Sequence, residues 1–367
     1  MRIGIPSEIK VQEKRVGMTD SGVEDLTRHG HEVFVQSGAG LGVDITDAQF
    51  ERAGAQVVAS ADAVFDAAQL IIKVKEPQLS ECAKLTKDHV LFTYLHLAAD
   101  KPQAEALCAS GCTAIAYETV TATVGGLPLL KPMSQVAGRM SVQVATHLLE
   151  SASGGRGLLM SGVPGVGAAR VVILGGGIAG TNALQMALGA RADVTVFEKS
   201  VQRLEELDRH YGTQTALRYS SHRAISDAIA TADVVIGTVL IPGAAAPKLI
   251  TRDMLGNMRK GAVMVDVSID QGGCFETSKP TTHDEPTYIV DDIVHYCVAN
   301  MPGGVARTST FALTNATLPY IHRLADKGLA TLANDEHFRN GVNVHAGQIT
   351  HEAAAEALQM PYQPFVA

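Results

Sequence analysis

Residues Val171–Gly180 read VVILGGGIAG, four apolar residues that run into three glycines and then into Ile-Ala-Gly-Thr-Asn-Ala, the opening of an apolar-periodic segment. Such a run is a buried strand, a tight turn and a helix N-terminus. Gly175, Gly177 and Gly180 fit G-x-G-x-x-G, in which the first glycine makes the turn and the second lets backbone approach a pyrophosphate. The third lets the helix pack closely on the strand, and the free N–H groups of the helix N-terminus attract phosphate. Asp193–Phe197 (DVTVF) reads as a second strand and leads directly into Glu198, about 20 residues beyond the glycines, where an acid that binds ribose belongs. The plainer alternative is a glycine turn in an ordinary βαβ unit.

Downstream, further strands are expected at Thr215–Tyr219, Asp233–Gly237, Ala262–Val267 and Thr287–Val290, the strand number of a doubly wound dinucleotide domain. Upstream, Arg2–Ile5, His31–Gln36, Leu70–Val74, Val90–Tyr94 and Thr113–Ala116 look like strands. Helical patterns at Asp20–His29, Thr46–Ala53 and Lys101–Ala109 separate them, which implies a largely parallel sheet with crossover helices. Val124–Met133, with two prolines and two glycines, interrupts the alternation. The apolar stripe Val136, Met140, Val144, Leu148 then marks a connecting helix. After MPGGVART (Met301–Thr308), Ser309–Ala325 reads as a second connecting helix, broken near Pro319. The two interrupted segments read as hinges. The tail, with alanines at Ala353–Ala355, is expected to be helical and to pack back on the first domain. The expected fold is α/β with two domains, a doubly wound dinucleotide-binding domain over residues 129–306 inserted in a discontinuous α/β substrate domain made of residues 1–128 and 307–367.

A chain of 367 residues exceeds the size at which single cores stop growing, so two domains are expected on length alone. Hydrophobic residues make up 46% and charged residues 19%, the composition of a soluble globular enzyme. The net charge of -8 without a basic cluster argues against nucleic-acid binding. MRIGIPSEIK lacks a signal-peptide core and no segment approaches about 18 apolar residues, so a cytoplasmic protein is expected. The five cysteines form no C-x-x-C pair and no histidines stand at ligand spacing, so reduced thiols and no structural metal are expected.

Several stretches together resemble the family of NAD-dependent L-alanine dehydrogenases, which also includes the soluble part of nicotinamide nucleotide transhydrogenase. They are GIPSEIK…EKRV (Gly4–Val16), KVKEP (Lys73–Pro77), TYLHLAA (Thr93–Ala99), LKPMSQVAGRMS (Leu130–Ser141), VVILGGGIAGTNA (Val171–Ala183), DVSIDQGGC (Asp266–Cys274) and HYCVANMPGGVARTSTFALTNATLPY (His295–Tyr320). The resemblance implies a Rossmann-type nucleotide domain and the reversible oxidative deamination of L-alanine to pyruvate and ammonium, with NAD as hydride acceptor. It also implies a homohexamer.

His96, just past a strand, is where open α/β sheets place ligands, and an imidazole suits proton transfer near neutral pH. By its pattern alone it is more often a structural histidine; by resemblance it is the catalytic acid/base. Asp270, in the loop after Ala262–Val267, reads as a loop acid on sequence alone, and by resemblance as the active-site aspartate that positions the cofactor ribose or the substrate amine. An α-keto acid needs cations, one of them a planar fork. The resemblance supplies Arg15 and Lys75 for its carboxylate and carbonyl. For the cofactor it adds Ser134, Ile178, Arg203, Ser220, Val239, Leu240, Val267, Ser268, Ile269, Lys279, Val298, Ala299, Asn300 and Met301 to the glycines and Glu198. Of these, Val239, Leu240 and Val298 could equally be core, and Ser220 and Lys279 solvated loop. Glu198 stands where the family usually has Asp. Two other readings stay open, a transhydrogenase-like nucleotide-binding subunit and a redox-sensing module that kept the nucleotide fold.

Overall fold

The computed structural model describes residues 1–239 and 246–366, so Leu240 lies outside the described residues. The chain divides into two compact units, one of Met1–Met133 with Val305–Ala367 and the other of Ser134–Gly304. The strands up to the first division are β1 (Arg2–Ile5), β2 (Glu32–Gln36), β3 (Gln56–Val58), β4 (Leu70–Ile72), β5 (Val90–Thr93) and β6 (Thr113–Ala116). The second unit holds β7 (Arg170–Leu174), β8 (Asp193–Glu198), β9 (Ala216–Tyr219), β10 (Val234–Gly237), β11 (Val263–Asp266), β12 (Thr287–Val290) and β13 (Ile293–Tyr296). The returning chain adds β14 (Val342–His345) and β15 (Gln348–Ile349).

In the first unit the sheet order is β15-β14-β6-β5-β4-β1-β2-β3, and β1 to β6 are all parallel. Their order, 3-2-1-4-5-6, is doubly wound, with its switch point between β1 and β4. The edge strand β3 is short and half-exposed, which is why no apolar run announces it. The tail departs from its helical expectation. β14 pairs antiparallel with β6, and β15 with β14, so the returning chain extends the sheet of the first unit before the helix Glu352–Leu358. The alanines promised helix, and the helix there is short; the strand pair before it is held by Val342, Val344 and Ile349, all buried. The helix Ala306–Lys327 runs through Pro319 without a break. Proline there removes one N–H, and tertiary burial of Leu313, Ile321 and Leu324 holds the helix despite that loss.

The second unit has the order β12-β13-β11-β10-β7-β8-β9. The sixth parallel strand is β13, not Thr287–Val290, which lies antiparallel to it at the edge. The two-residue turn between them has Asp291 and Asp292 both in the left-handed region, at φ 50° and 63°, as a tight hairpin requires. Both faces of this sheet are covered, as a parallel sheet demands. Val171, Ile173, Val194, Val196, Val234, Ile236, Val263 and Val265 enter one apolar cluster. The alternate residues Val172, Leu174, Phe197, Val235 and Met264 enter another. No helix among the described residues is long and apolar enough to cross a membrane.

Candidate active site

In the first unit, Glu8 and Lys75 follow the C-terminal ends of β1 and β4, the strands that flank the switch point, and His96 follows the neighbouring β5, at the end of the sheet where the crevice of a doubly wound fold lies. Behind β4, Lys73 is fully buried, with Nζ 3.0 Å from Glu8 Oε2 and 2.8 Å from Glu81 Oε1. Burial disfavours its charge, but the two carboxylates outweigh that and raise its pKa. Glu8 also accepts the Val74 amide at 2.7 Å, so the segment carrying Lys75 is pinned to the loop after β1. Lys75 Nζ lies 3.2 Å from His96 Nε2, and Thr93 Oγ1 donates to the Lys75 carbonyl at 2.9 Å. An ammonium can only donate, so it fixes Nε2 as the acceptor of the ring.

His96 sits in left-handed backbone, φ 47° and ψ 35°. That conformation is held by Glu118, whose Oε1 accepts the amides of His96 at 2.6 Å and Leu95 at 3.0 Å. The Tyr94 ring stacks against the imidazole, 5.9 Å between centroids and 13° between planes, while its hydroxyl donates to Leu129 O at 2.6 Å. Arg15, 2% exposed, gives one edge of its guanidinium to Glu13, Nε to Oε1 at 2.7 Å and Nη2 to Oε2 at 2.6 Å. Burial opposes the guanidinium charge, but the Glu13 hydrogen bonds and charge raise its pKa overall. Arg15 Nη1 lies 3.2 Å from Met133 Sδ. Glu76 lies close to Lys10 and Lys75; burial favours its neutral form, and those cations outweigh it and hold it below the usual carboxylate range.

In the second unit the glycine turn has the geometry a pyrophosphate needs. Gly175 has φ +102°, and a Cβ on Gly180 would lie 1.9 Å from Gly175 O. A Cβ on Gly177, the N-cap of the helix Ile178–Gly189, would meet only open space, so the helix N-terminus is approachable there. Glu198 closes the turn from β8. Its Oε2 accepts the Gly176 amide at 2.8 Å, and its Oε1 the amides of Lys199 at 2.7 Å and Ser200 at 2.9 Å. Arg203 Nε donates to Gly176 O at 2.8 Å and Nη2 to Thr181 Oγ1 at 2.9 Å. Ser220 follows β9, and its amide donates to Glu198 O at 2.9 Å. These features fit a dinucleotide.

Val239 follows β10, and the loop after β11 carries Val267, Ser268, Ile269 and the exposed Asp270. That loop is wound around the buried Asp266, which accepts the amides of Ser268 at 3.0 Å and Cys274 at 2.8 Å and the Ser278 hydroxyl. Burial raises the Asp266 pKa against these hydrogen bonds. Asp270 Oδ1 accepts the Asn300 amide at 3.3 Å, which joins two predicted site loops. Ala299 donates its amide to Thr281 O at 3.1 Å, and Lys279 Nζ lies 4.4 Å from the Tyr288 ring centroid. Ile178 is exposed and Ser134 half-buried. Val298 and Met301 have their side chains in the apolar core, 0% and 3% exposed.

Sequence reading missed Glu8, Glu13, Glu118 and Asp266. Each acts through backbone amides or a buried partner, and neither residue type nor spacing marks that. The five cysteines are free thiols, and burial raises each pKa, Cys82 to about 12 and Cys112 to about 11. At pH 8 a disulfide reagent should therefore react slowly with the native chain and titrate all five thiols after denaturation. Fast native reaction of Cys274 would contradict this.

The second unit is a Rossmann-type dinucleotide-binding domain, and the chain is a two-domain α/β protein of the dinucleotide-dependent class. The family model described as the alanine dehydrogenase/PNT N-terminal domain matches residues 4–137, and the corresponding C-terminal domain matches 141–352. The chain belongs to this alanine dehydrogenase/PNT family. It is 58% identical to an alanine dehydrogenase of Halomonas elongata over 363 residues, 99% of this chain and 98% of that one. A solved L-alanine dehydrogenase matches at a TM-score of 0.95 and 48% identity, covering 98% of this chain and 99% of the other. A transhydrogenase of Sinorhizobium meliloti, 24% identical over 96% of this chain and all of its own, shares the fold at a TM-score of 0.82.

Proposed function

We propose that the chain catalyses the reversible oxidative deamination of L-alanine to pyruvate and ammonium with NAD. The observation that carries this is the Lys75–His96 pair at 3.2 Å at the switch point of the first sheet, in the same unit as the buried Arg15 cation. When bound, NAD accepts the hydride from the substrate α-carbon. The chain does the rest. Arg15, immobilised by Glu13, binds the substrate carboxylate, and Lys75 holds the carbonyl or carbinolamine oxygen. His96 Nε2, which Lys75 releases when it turns to that oxygen, takes a proton from the water that attacks the iminium carbon and returns it to the departing amine. A carboxylate and a keto oxygen need two cations, which a subunit that only passes hydride between nucleotides does not; the transhydrogenase-like reading is weaker for that reason. Absorbance of NADH with L-alanine, repeated with glycine, L-serine and, in reverse, glyoxylate, tests the reading. No turnover of L-alanine, with hydride exchange between two dinucleotides instead, would replace it with the alternative.

Preference for NAD over NADP rests on Glu198. Its carboxylate, fixed by three amides, accepts from the ribose hydroxyls and repels a 2′-phosphate. Like charges so placed cost several kcal/mol, so kcat/KM should favour NAD by more than about tenfold. Glu198→Ser should narrow the ratio, with Arg203 beside the turn left to meet the phosphate. Equal kcat/KM for both cofactors in the unaltered protein would refute this.

Asp270→Asn should lower kcat and weaken NADH binding together. Asparagine keeps an Oδ1 for the Asn300 amide, so the loop holds and the measurement reports the charge. NADH fluorescence titration beside steady-state kinetics checks it; unchanged NADH affinity would remove Asp270 from the cofactor's surroundings.

A further inference from the structure

Far from these residues in sequence, the first unit brings together a carboxylate and two imidazoles. Asp25 lies on the helix Asp20–Arg28, His29 is its C-cap one turn later, and His322 comes from the helix Ala306–Lys327. One potential ligand atom from each lies within 4.8 Å of the others. The His29 and His322 rings are 4.6 Å apart, and His322 Nε2 is 2.7 Å from Asp25 Oδ2.

A second feature prepares His29 for ligation. Its Nδ1 lies 2.7 Å from the Asp25 main-chain carbonyl. Only a protonated Nδ1 can make that hydrogen bond, so the neutral ring carries its lone pair on Nε2. A backbone carbonyl that fixes the tautomer and orientation of an imidazole in this way is the usual outer partner of a metal-binding histidine. The surroundings suit a cation. Asp326 Oδ1 stands 3.1 Å from His31 Nε2, and the His31 ring centroid is 6.3 Å from that of His322. His29 is exposed and Asp25 and His322 half-buried, so an ion can enter from solvent.

We propose that Asp25, His29 and His322 form a site for a divalent transition metal of the zinc type, outside the residues assigned to catalysis. One carboxylate and two imidazoles are a borderline-soft donor set that suits zinc, cobalt or nickel and disfavours calcium and magnesium, which take all-oxygen shells. The ion would clip the N-terminal helix to the long returning helix, two segments nearly 300 residues apart, as about 297 separate Asp25 from His322. It would also replace the direct Asp25–His322 contact by coordination of both side chains to the ion. Spacing could not reveal the site, because the second histidine comes from the other end of the chain.

Calorimetric titration of the chelator-treated full chain with zinc chloride at pH 7.5 should show one ion bound per chain. Cobalt(II) at the same site should give visible d–d bands. His29→Ala and His322→Gln should each weaken binding by more than about tenfold, since even outer partners of such ligands contribute that much. The glutamine keeps a hydrogen bond to Asp25 but offers no imidazole. Zinc should raise the Tm of the unaltered chain by mass action and leave that of both variants unmoved. Turnover of L-alanine without added metal should be the same in all three. No binding, or zinc binding undiminished in both variants because the ion sits on thiols or at His96, would overturn the proposal.

Discussion

Replacing His96 by alanine should lower kcat in both directions by roughly 10²–10⁴, the usual contribution of general acid–base catalysis, while NADH affinity stays near that of the unaltered protein. The split follows from where the residues lie. His96 is in the first unit, and the glycine turn, Glu198 and Asp270 are all in the second. The backbone adds a complication. His96 holds φ 47°, where alanine is less at ease, so part of any loss could come from a relaxed loop. Asparagine tolerates left-handed backbone and cannot shuttle a proton near neutral pH, so His96→Asn separates the two causes. Equal losses in both variants, with unchanged Tm, are expected. Near-normal turnover in either across the pH range would show that the proton moves elsewhere.

Removing Arg15 should do more than raise KM. As a substrate ligand, its loss raises KM for pyruvate and leaves NADH binding untouched. Its guanidinium, however, is also the counter-charge of Glu13, whose side chain is 0% exposed against 2% for Arg15. Breaking one half of a buried ion pair costs about 3–5 kcal/mol, because the other charge stays buried. At about 2–4 °C per kcal/mol for a unit of this size, Arg15→Ala should lower Tm by roughly 6–20 °C. The double variant Glu13→Gln/Arg15→Met removes both charges together and should recover most of the stability while KM stays high. If Arg15→Ala melts like the unaltered protein, the Glu13–Arg15 pair is not the structural element described above.

The buried glutamates show where sequence reading stopped. His96 and Lys75 stand just past expected strands, but their roles, like that of Arg15, came from the family resemblance, since an isolated His, Lys or Arg is by its pattern alone more often structural or solvated. Glu118 was not singled out, since it acts on two backbone amides, and those are near it only because β5 and β6 pair in register, Thr93 beside Ala116. Lys75 and His96 meet for the same reason, through the pairing of β4 with β5. Asp266 fell inside the expected strand Ala262–Val267; that it organises the Asp270 loop depends on the path of the chain back to Ser278. Val298 and Met301, assigned to the cofactor by resemblance, have their side chains in the apolar core, which leaves their main chain as the part that could meet a ligand.

What the sequence determined by itself is what short-range sterics and periodicity decide. The alternation of valines in β7 and β8, the turn at Gly175 and the close approach at Gly180 are local demands that only certain residue types satisfy, and they specify a strand-turn-helix wherever it is placed. Tertiary structure alone decided three things: the antiparallel direction of β12, the addition of β14 and β15 to the sheet of the first unit, and the partners of the buried charges. Each pairs groups distant along the chain, and the energy that selects the pairing, burial of apolar surface and compensation of desolvated charge, belongs to the assembled core and leaves no local mark on either partner.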